Sequence, residues 1–180
     1  MTESEASNIE VIYSPEVINR RVRELAGEIR AAGLENLLVI AILKGSFIFA
    51  ADLIRALHEV GLAPEVDFIT LSSYRKGMQS TGRVEILRDI DMDVTGRNIL
   101  LVDDILESGR TLAFAKDLLA ARGASRISTC VLLKKKIHRA VDIEADFHAF
   151  DCPELFVVGY GMDVAYRYRQ LPFVGYITRE

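Results

Sequence analysis

The sequence predicts an α/β fold with a mostly parallel central sheet flanked by helices. Two features carry that expectation. Short apolar runs rich in β-branched residues alternate along the chain with longer segments whose apolar positions recur at helical spacing. The run 37–42 is apolar throughout, as a strand covered on both faces must be. Sheets of this kind bind ligands outside the carboxyl ends of their strands, so residues that directly follow strands are where chemistry is expected.

In chain order, Ser14-Pro15 opens a helix, because a serine oxygen accepts from free N–H groups and proline is tolerated at the first helical position. Val17, Ile18, Val22, Leu25 and Ile29 follow at helical spacing, and Gly33 supplies the stop. The run 37–42 is the first core strand, and 47–58 forms a second helix that ends near Gly61. Strands are expected at 66–71 and 83–87, separated by a polar stretch, 72–82, too long for a tight hairpin. A short buried strand, 98–102, runs into Asp103-Asp104, and 111–121 is helical and closed by Gly123. Further strands fall at 126–133, 147–150 and 156–160, with 174–178 expected to close the sheet edge. No repeat, low-complexity tract or Pro-rich linker interrupts the pattern, so residues 1–180 read as a single domain.

The bulk properties exclude several function classes. With 50% hydrophobic and 27% charged residues the chain has the profile of an ordinary globular protein. Its net charge of −4 advertises no affinity for nucleic acid or anionic membrane. The acidic N-terminus lacks the apolar core of a signal peptide, and the apolar run from Leu37 stops at Lys44, far short of the roughly 20 residues that span a bilayer. Cys130 and Cys152 read as small buried residues, and a reducing cytoplasm is the expected location. An acidic protein that handles phosphates must concentrate positive groups locally.

The most informative segment is Ile99-Leu100-Leu101-Val102-Asp103-Asp104-Ile105-Leu106-Glu107-Ser108-Gly109-Arg110-Thr111. An apolar strand ends in two carboxylates, a turn with Ser and Gly follows, and a helix begins. A helix N-terminus is a ready anion site, and glycine lets backbone wrap closely around a phosphate. Paired carboxylates accept hydrogen bonds from vicinal hydroxyls. Phosphate cradle and hydroxyl clamp together suit a ribose 5-phosphate.

This segment resembles the diphosphoribose-binding signature of type I phosphoribosyltransferases, and the likeness extends over nearly the whole chain, narrowing to the hypoxanthine–guanine branch. Leu43-Lys44-Gly45-Ser46 resembles that family's pyrophosphate loop, and Ser73-Tyr74 with Gln79-Ser80-Thr81-Gly82 its mobile catalytic loop. Leu132-Leu133-Lys134-Lys135-Lys136 is similar to the base-recognition lysine segment. The run from Phe156 to Asp163 resembles the purine-pocket signature, and Arg167-Tyr168-Arg169-Gln170-Leu171 the tail behind it.

The resemblance implies the type I phosphoribosyltransferase fold, with a small hood formed by terminal segments, and transfer of a 6-oxopurine onto 5-phosphoribosyl diphosphate with Mg²⁺. It implies that Asp103 and Asp104 hold the ribose hydroxyls, and that Ser108, Gly109, Arg110 and Thr111 bind the 5-phosphate. Lys44, Gly45 and Arg169 are implied for pyrophosphate, and the loop at Lys44 often contains a cis peptide in the family. Asp163 and Asp103 are the implied Mg²⁺ residues, Mg²⁺ preferring hard oxygens. Lys135 should donate to the purine 6-oxo group, with Lys134 as the competing register. An ammonium only donates, so it selects against adenine. Phe156 should stack on the base, Val157 present backbone to its edge, and Ser73 and Tyr74 help to exclude water. Glu107 should handle the base proton near N7, where the family usually has Asp; the extra methylene is the main departure from its pattern. A homodimer or homotetramer is implied. The choice among hypoxanthine, guanine and xanthine stays open.

One alternative keeps the same scaffold: a nucleotide-sensing regulator that binds RNA. It would need an extensive basic face, which the acidic total charge disfavours. Another phosphate-handling α/β enzyme is disfavoured too, because the chain has no Gly-x-x-x-x-Gly-Lys-Ser/Thr loop and Gly159-Tyr160-Gly161 lacks the third glycine of a dinucleotide fingerprint. His58, His138 and His148 show no metal-ligand spacing.

Overall fold

The computed structural model describes residues 9–73 and 83–178. Its elements in chain order are β1 (Ile9–Tyr13), α1 (Pro15–Ala31), β2 (Leu37–Leu43), α2 (Phe47–Glu59), β3 (Glu65–Ser73) and β4 (Val84–Arg88). They continue with β5 (Asn98–Leu106), α3 (Arg110–Ala121), β6 (Arg126–Lys135), β7 (Phe147–Cys152), β8 (Val157–Val158) and β9 (Val174–Ile177).

Six strands form the main sheet in the order β4-β3-β2-β5-β6-β7. Every neighbouring pair is parallel except β3 with β4, which run antiparallel. The chain leaves β2 for β3 on one side and later returns to β5 on the other. That reversal opens a crevice at the carboxyl ends of β2 and β5.

Helices cover both faces, which explains the unbroken apolar strands. On one face Ile18, Leu25 and Ile29 of α1 and Phe49 and Leu53 of α2 pack with Val39, Leu100 and Leu132. On the other, Leu112, Ala115 and Leu119 of α3 pack with Leu38, Ile40, Leu101 and Val131. Consecutive strand residues thus feed opposite cores, and a polar residue would be misplaced on either side. Helix α1 starts where expected: Ser14 Oγ accepts from Val17 N at 3.4 Å, with Pro15 at the first position.

The structure corrects four expectations. Strand β5 runs on to Leu106, so Asp103 and Asp104 lie within it; Asp103 still pairs with Val131 of β6. Segment 174–178 does not close the main sheet. Instead β9 pairs antiparallel with both β1 and β8 in a separate three-stranded sheet, the hood implied by the family resemblance. The run 156–160 is a strand only at Val157–Val158, because Gly159 takes a positive φ of 92° and turns the chain. Strand β1 was not foreseen: its five residues carry no long apolar run, and the hood alone gives them a partner.

The hood is tied to the sheet through β7. Tyr13 stacks on Phe150 with ring centroids 4.0 Å apart, and its hydroxyl donates to the Asp151 carbonyl. Arg21 of α1 donates to the carbonyls of Ala149 and His148 at 2.8 and 2.9 Å, occupying acceptors that an edge strand would otherwise expose. Because Leu101 is fully buried between β2 and α3, Leu101→Ala should destabilise the fold by about 2–5 kcal/mol, read as a lower urea midpoint with unchanged slope.

Candidate active site

The crevice is a cleft of about 210 Å³ whose walls come from the ends of β2 and β5 and the turn into α3. Strand β5 supplies Asp103 and Asp104, the turn after it supplies Glu107, Ser108 and Gly109, and α3 supplies Thr111. Lys44 and Gly45, directly after β2, face them. These residues lie far apart in sequence, and the central position of β2 beside β5 brings them together.

Asp103 is buried and Asp104 half-buried. Asp103 Oδ1 accepts from Asp104 N at 2.9 Å, and Asp104 Oδ1 from Ile105 N at 2.8 Å. These bonds fix both carboxylates locally but leave oxygens for a ligand. Burial raises the pKa of Asp103 well above the usual carboxylate range, and the adjacent Asp104 charge adds to the rise. Burial raises Asp104 too, opposed by its hydrogen bonds and by the charge of Arg169.

Backbone approaches very closely here. A Cβ on Gly45 would sit 1.9 Å from Asp104 Oδ2, and a Cβ on Gly161 would sit 2.6 Å from the Gly45 carbonyl oxygen. Gly161, with a φ of 100° against a backbone oxygen, requires glycine, and a side chain on residue 45 would displace the Asp104 carboxylate. The Leu43–Lys44 peptide is cis, as the family resemblance implied. The Lys44 ammonium lies 5.6 Å over the Tyr166 ring.

At the turn, Gly109 caps α3 with a φ of 79° and offers no side chain to its N–H groups. Arg110 N donates to Ser108 Oγ at 3.3 Å. The first N–H groups of a helix have no intrahelical acceptor, so the opening of α3 presents donors and a positive dipole end at the cleft wall. Residues 136–146 fold back over this turn. Val141 N donates to Ser108 O at 3.2 Å, and a Cβ on Gly109 would meet Ile143 Cγ2 at 2.7 Å.

The three lysines separate cleanly. Lys135 is buried and its ammonium donates to Glu107 Oε1 at 2.8 Å. Lys134 points away to Glu144 at 2.5 Å, and exposed Lys136 to Asp151 at 3.0 Å. Arg169 and Asp163 pair with each other at 2.9 Å, while Arg169 Nη1 donates to Gly161 O at 2.7 Å and Asp163 Oδ2 accepts from Tyr166 N at 2.8 Å. The structure does not bring every expected residue to the cleft wall. Phe156 is 55% exposed beside the buried Val157 of β8, and neither lines the cleft. Ser73 ends β3, and Tyr74 lies outside the described residues.

Two contributors gave no sequence signal. Asp52 on α2 accepts from the Tyr160 hydroxyl, anchoring the glycine-flanked turn that abuts Gly45. Val141 and Ile143 back Gly109 from an irregular segment. Neither contact follows from periodicity or motif, because both depend on tertiary placement.

Among the described residues no group of three or more His, Cys, Asp or Glu side chains is placed to hold a metal. Mg²⁺ needs no such cage, since it commonly binds through one or two carboxylates plus substrate phosphates. Buried Asp103 and half-buried Asp104, each carrying a raised pKa, are a donor pair that a divalent cation would relieve, so the residues present fit that ion.

Fold and site together define a parallel α/β protein whose ligand machinery sits at a topological switch, with an acidic strand end against a helix opening. The chain matches the phosphoribosyl transferase domain over residues 9–165 and belongs to that family. It is 43% identical over 176 residues to the hypoxanthine-guanine phosphoribosyltransferase of Aquifex aeolicus, covering 97% of each chain. It is 44% identical over 170 residues to the hypoxanthine phosphoribosyltransferase of Buchnera aphidicola, covering 93% of this chain and 94% of that one. The crystal structure of a hypoxanthine phosphoribosyltransferase from Staphylococcus aureus superposes with a TM-score of 0.90 at 34% identity, over 99% of this chain and 96% of that one.

The raised Asp103 pKa has a stability consequence. An unfolded aspartate titrates at about 3.9. The folded state binds its proton more tightly, so stability falls as pH rises from that value through the raised folded one. Asp103→Asn should therefore melt at a higher temperature than the parent at neutral pH, with the difference vanishing below about pH 4. Thermal melts across pH check this.

Proposed function

We propose that the chain is a purine-salvage transferase, which joins hypoxanthine, and guanine, to 5-phosphoribosyl diphosphate and releases pyrophosphate. The observation that carries the reading is the buried Lys135 ammonium donating to Glu107, which lines the same cleft as Asp103, Asp104 and the opening of α3. The names of the relatives agree with it. The alternative of an RNA-binding regulator gains nothing from them.

In this mechanism Asp103 and Asp104 accept hydrogen bonds from the ribose hydroxyls. Ser108, Gly109, Arg110 and Thr111 hold the 5-phosphate through the N–H groups and hydroxyls at the opening of α3. Lys44 and Gly45 donate to the diphosphate, joined by Arg169, whose planar fork suits phosphate oxygens. Lys135, rather than Lys134, donates to the purine 6-oxo group; its burial and its inward contact support that choice. Glu107 takes the proton from N7 as N9 attacks C1 of the sugar and the diphosphate departs. Phe156 stacks on the base, and Val157 presents backbone to its edge. Ser73 and Tyr74 are assigned to shielding the reacting centre from water.

Asp103 and Asp163 are the residues assigned to Mg²⁺, which when bound neutralises charge on the diphosphate. The enzyme is read as a homodimer or homotetramer in the cytoplasm; its two cysteines are buried and free, and no helix among the described residues is long and apolar enough to cross a membrane.

Incubation with 5-phosphoribosyl diphosphate, Mg²⁺ and each of hypoxanthine, guanine, xanthine and adenine should give nucleotide from the 6-oxopurines and none from adenine. Absence of product with every base would refute the reading. Glu107→Gln should lower turnover by roughly 100-fold or more while leaving diphosphoribose affinity nearly intact; unchanged turnover would remove Glu107 from the proton step.

A further inference from the structure

Resting on the transferase reading, we infer that Arg139 is a positioning residue for base recognition. It lies in the irregular segment after β6 and is mostly buried, its side chain 12% exposed. One arm of its guanidinium, Nη2, donates to the carbonyl of Lys135 at 3.1 Å; the other, Nη1, pairs with Glu144 at 2.7 Å. Glu144 in turn holds Lys134 at 2.5 Å. The Arg139–Glu144 pair therefore grips both residues at the end of β6: Lys134 by its ammonium and Lys135 by its backbone. The Lys134 ammonium is drawn outward, and the Lys135 ammonium is left to point inward at Glu107.

The same segment donates from Val141 N to Ser108 O, so it spans from the lysine to the phosphate turn. Arg139 Nε is buried without a hydrogen-bond partner. A buried N–H left unpaired is destabilising and uncommon in folded proteins. Stability alone does not explain an arginine held this way, whereas two rigid arms fixing the strand end do, since a guanidinium donates in a fixed fork and an ammonium does not. Arg139 acts through Lys135 and touches no substrate.

The test is steady-state kinetics of Arg139→Lys and Arg139→Gln with the base and the diphosphoribose varied separately, alongside the parent. The parent's turnover of 6-oxopurines tests the transferase reading by itself. In the variants KM for hypoxanthine should rise about tenfold, with KM for 5-phosphoribosyl diphosphate changed by less than about twofold. Discrimination against adenine should narrow in parallel. Glu144→Gln keeps the bond from Arg139 to the Lys135 carbonyl and should shift the base KM less than either Arg139 variant. Equal changes in both KM values, or no change in the base KM, would overturn the assignment, as would a Glu144→Gln effect as large as that of Arg139→Gln. If Arg139→Gln fails to fold, Arg139→Lys decides alone.

Discussion

The site depends on how closely the Asp104 carboxylate and the backbone at Gly161 pack around Gly45. The carboxylate of Asp104 and the turn through Gly161 both pack where a side chain on residue 45 or 161 would have to be. Strand β5 supplies the first, the hood-side segment the second, and the loop after β2 lies between them. The order of the sheet makes this meeting possible, because β2 and β5 are neighbours although α2, β3 and β4 separate them along the chain. Loosening any one segment would shift the other two, and interiors packed to solid density transmit such shifts instead of absorbing them.

Around that contact the charges form two separate arrangements. The Asp103–Asp104 pair is held in a state that burial makes costly, and Arg169 offsets part of the cost at Asp104. The Lys135–Glu107 pair is satisfied internally, its two charges offsetting each other. A cleft built this way keeps its unmet electrostatic demand at the acidic pair and a matched donor and acceptor at Lys135 and Glu107.

Much of this was legible in the sequence, and the reasons are specific. The cores on the two sheet faces follow from unbroken runs such as Leu38-Val39-Ile40-Ala41, which only a doubly covered strand tolerates. The turn into α3 was legible because Ser108-Gly109 carries backbone demands that few residues meet, and Gly109 takes a φ of 79°. Lys135 could be separated from Lys134 only in three dimensions, since a strand alternates its faces and a one-residue slip inverts them. The length of β5 was underestimated because two aspartates look like a strand terminator, whereas their pairing with β6 continues to Lys134. The hood was invisible as a sheet because β1 and β8 are too short to show a period, and their partners lie elsewhere in the chain. The anchoring of Tyr160 by Asp52 had no signature at all.

The hood joins Ile9 to Ile177, nearly opposite ends of the chain, and β8 joins this sheet only through β9. Contacts so distant in sequence carry a loop-closure entropy that local structure cannot offset, and chains form them only once the intervening elements have brought the ends near. The hood is therefore a late product of folding, erected on a sheet whose strand ends already hold the acidic pair and the turn into α3. A nascent or partly unfolded chain would have the cleft between β2, β5 and α3 in outline well before it had its second sheet.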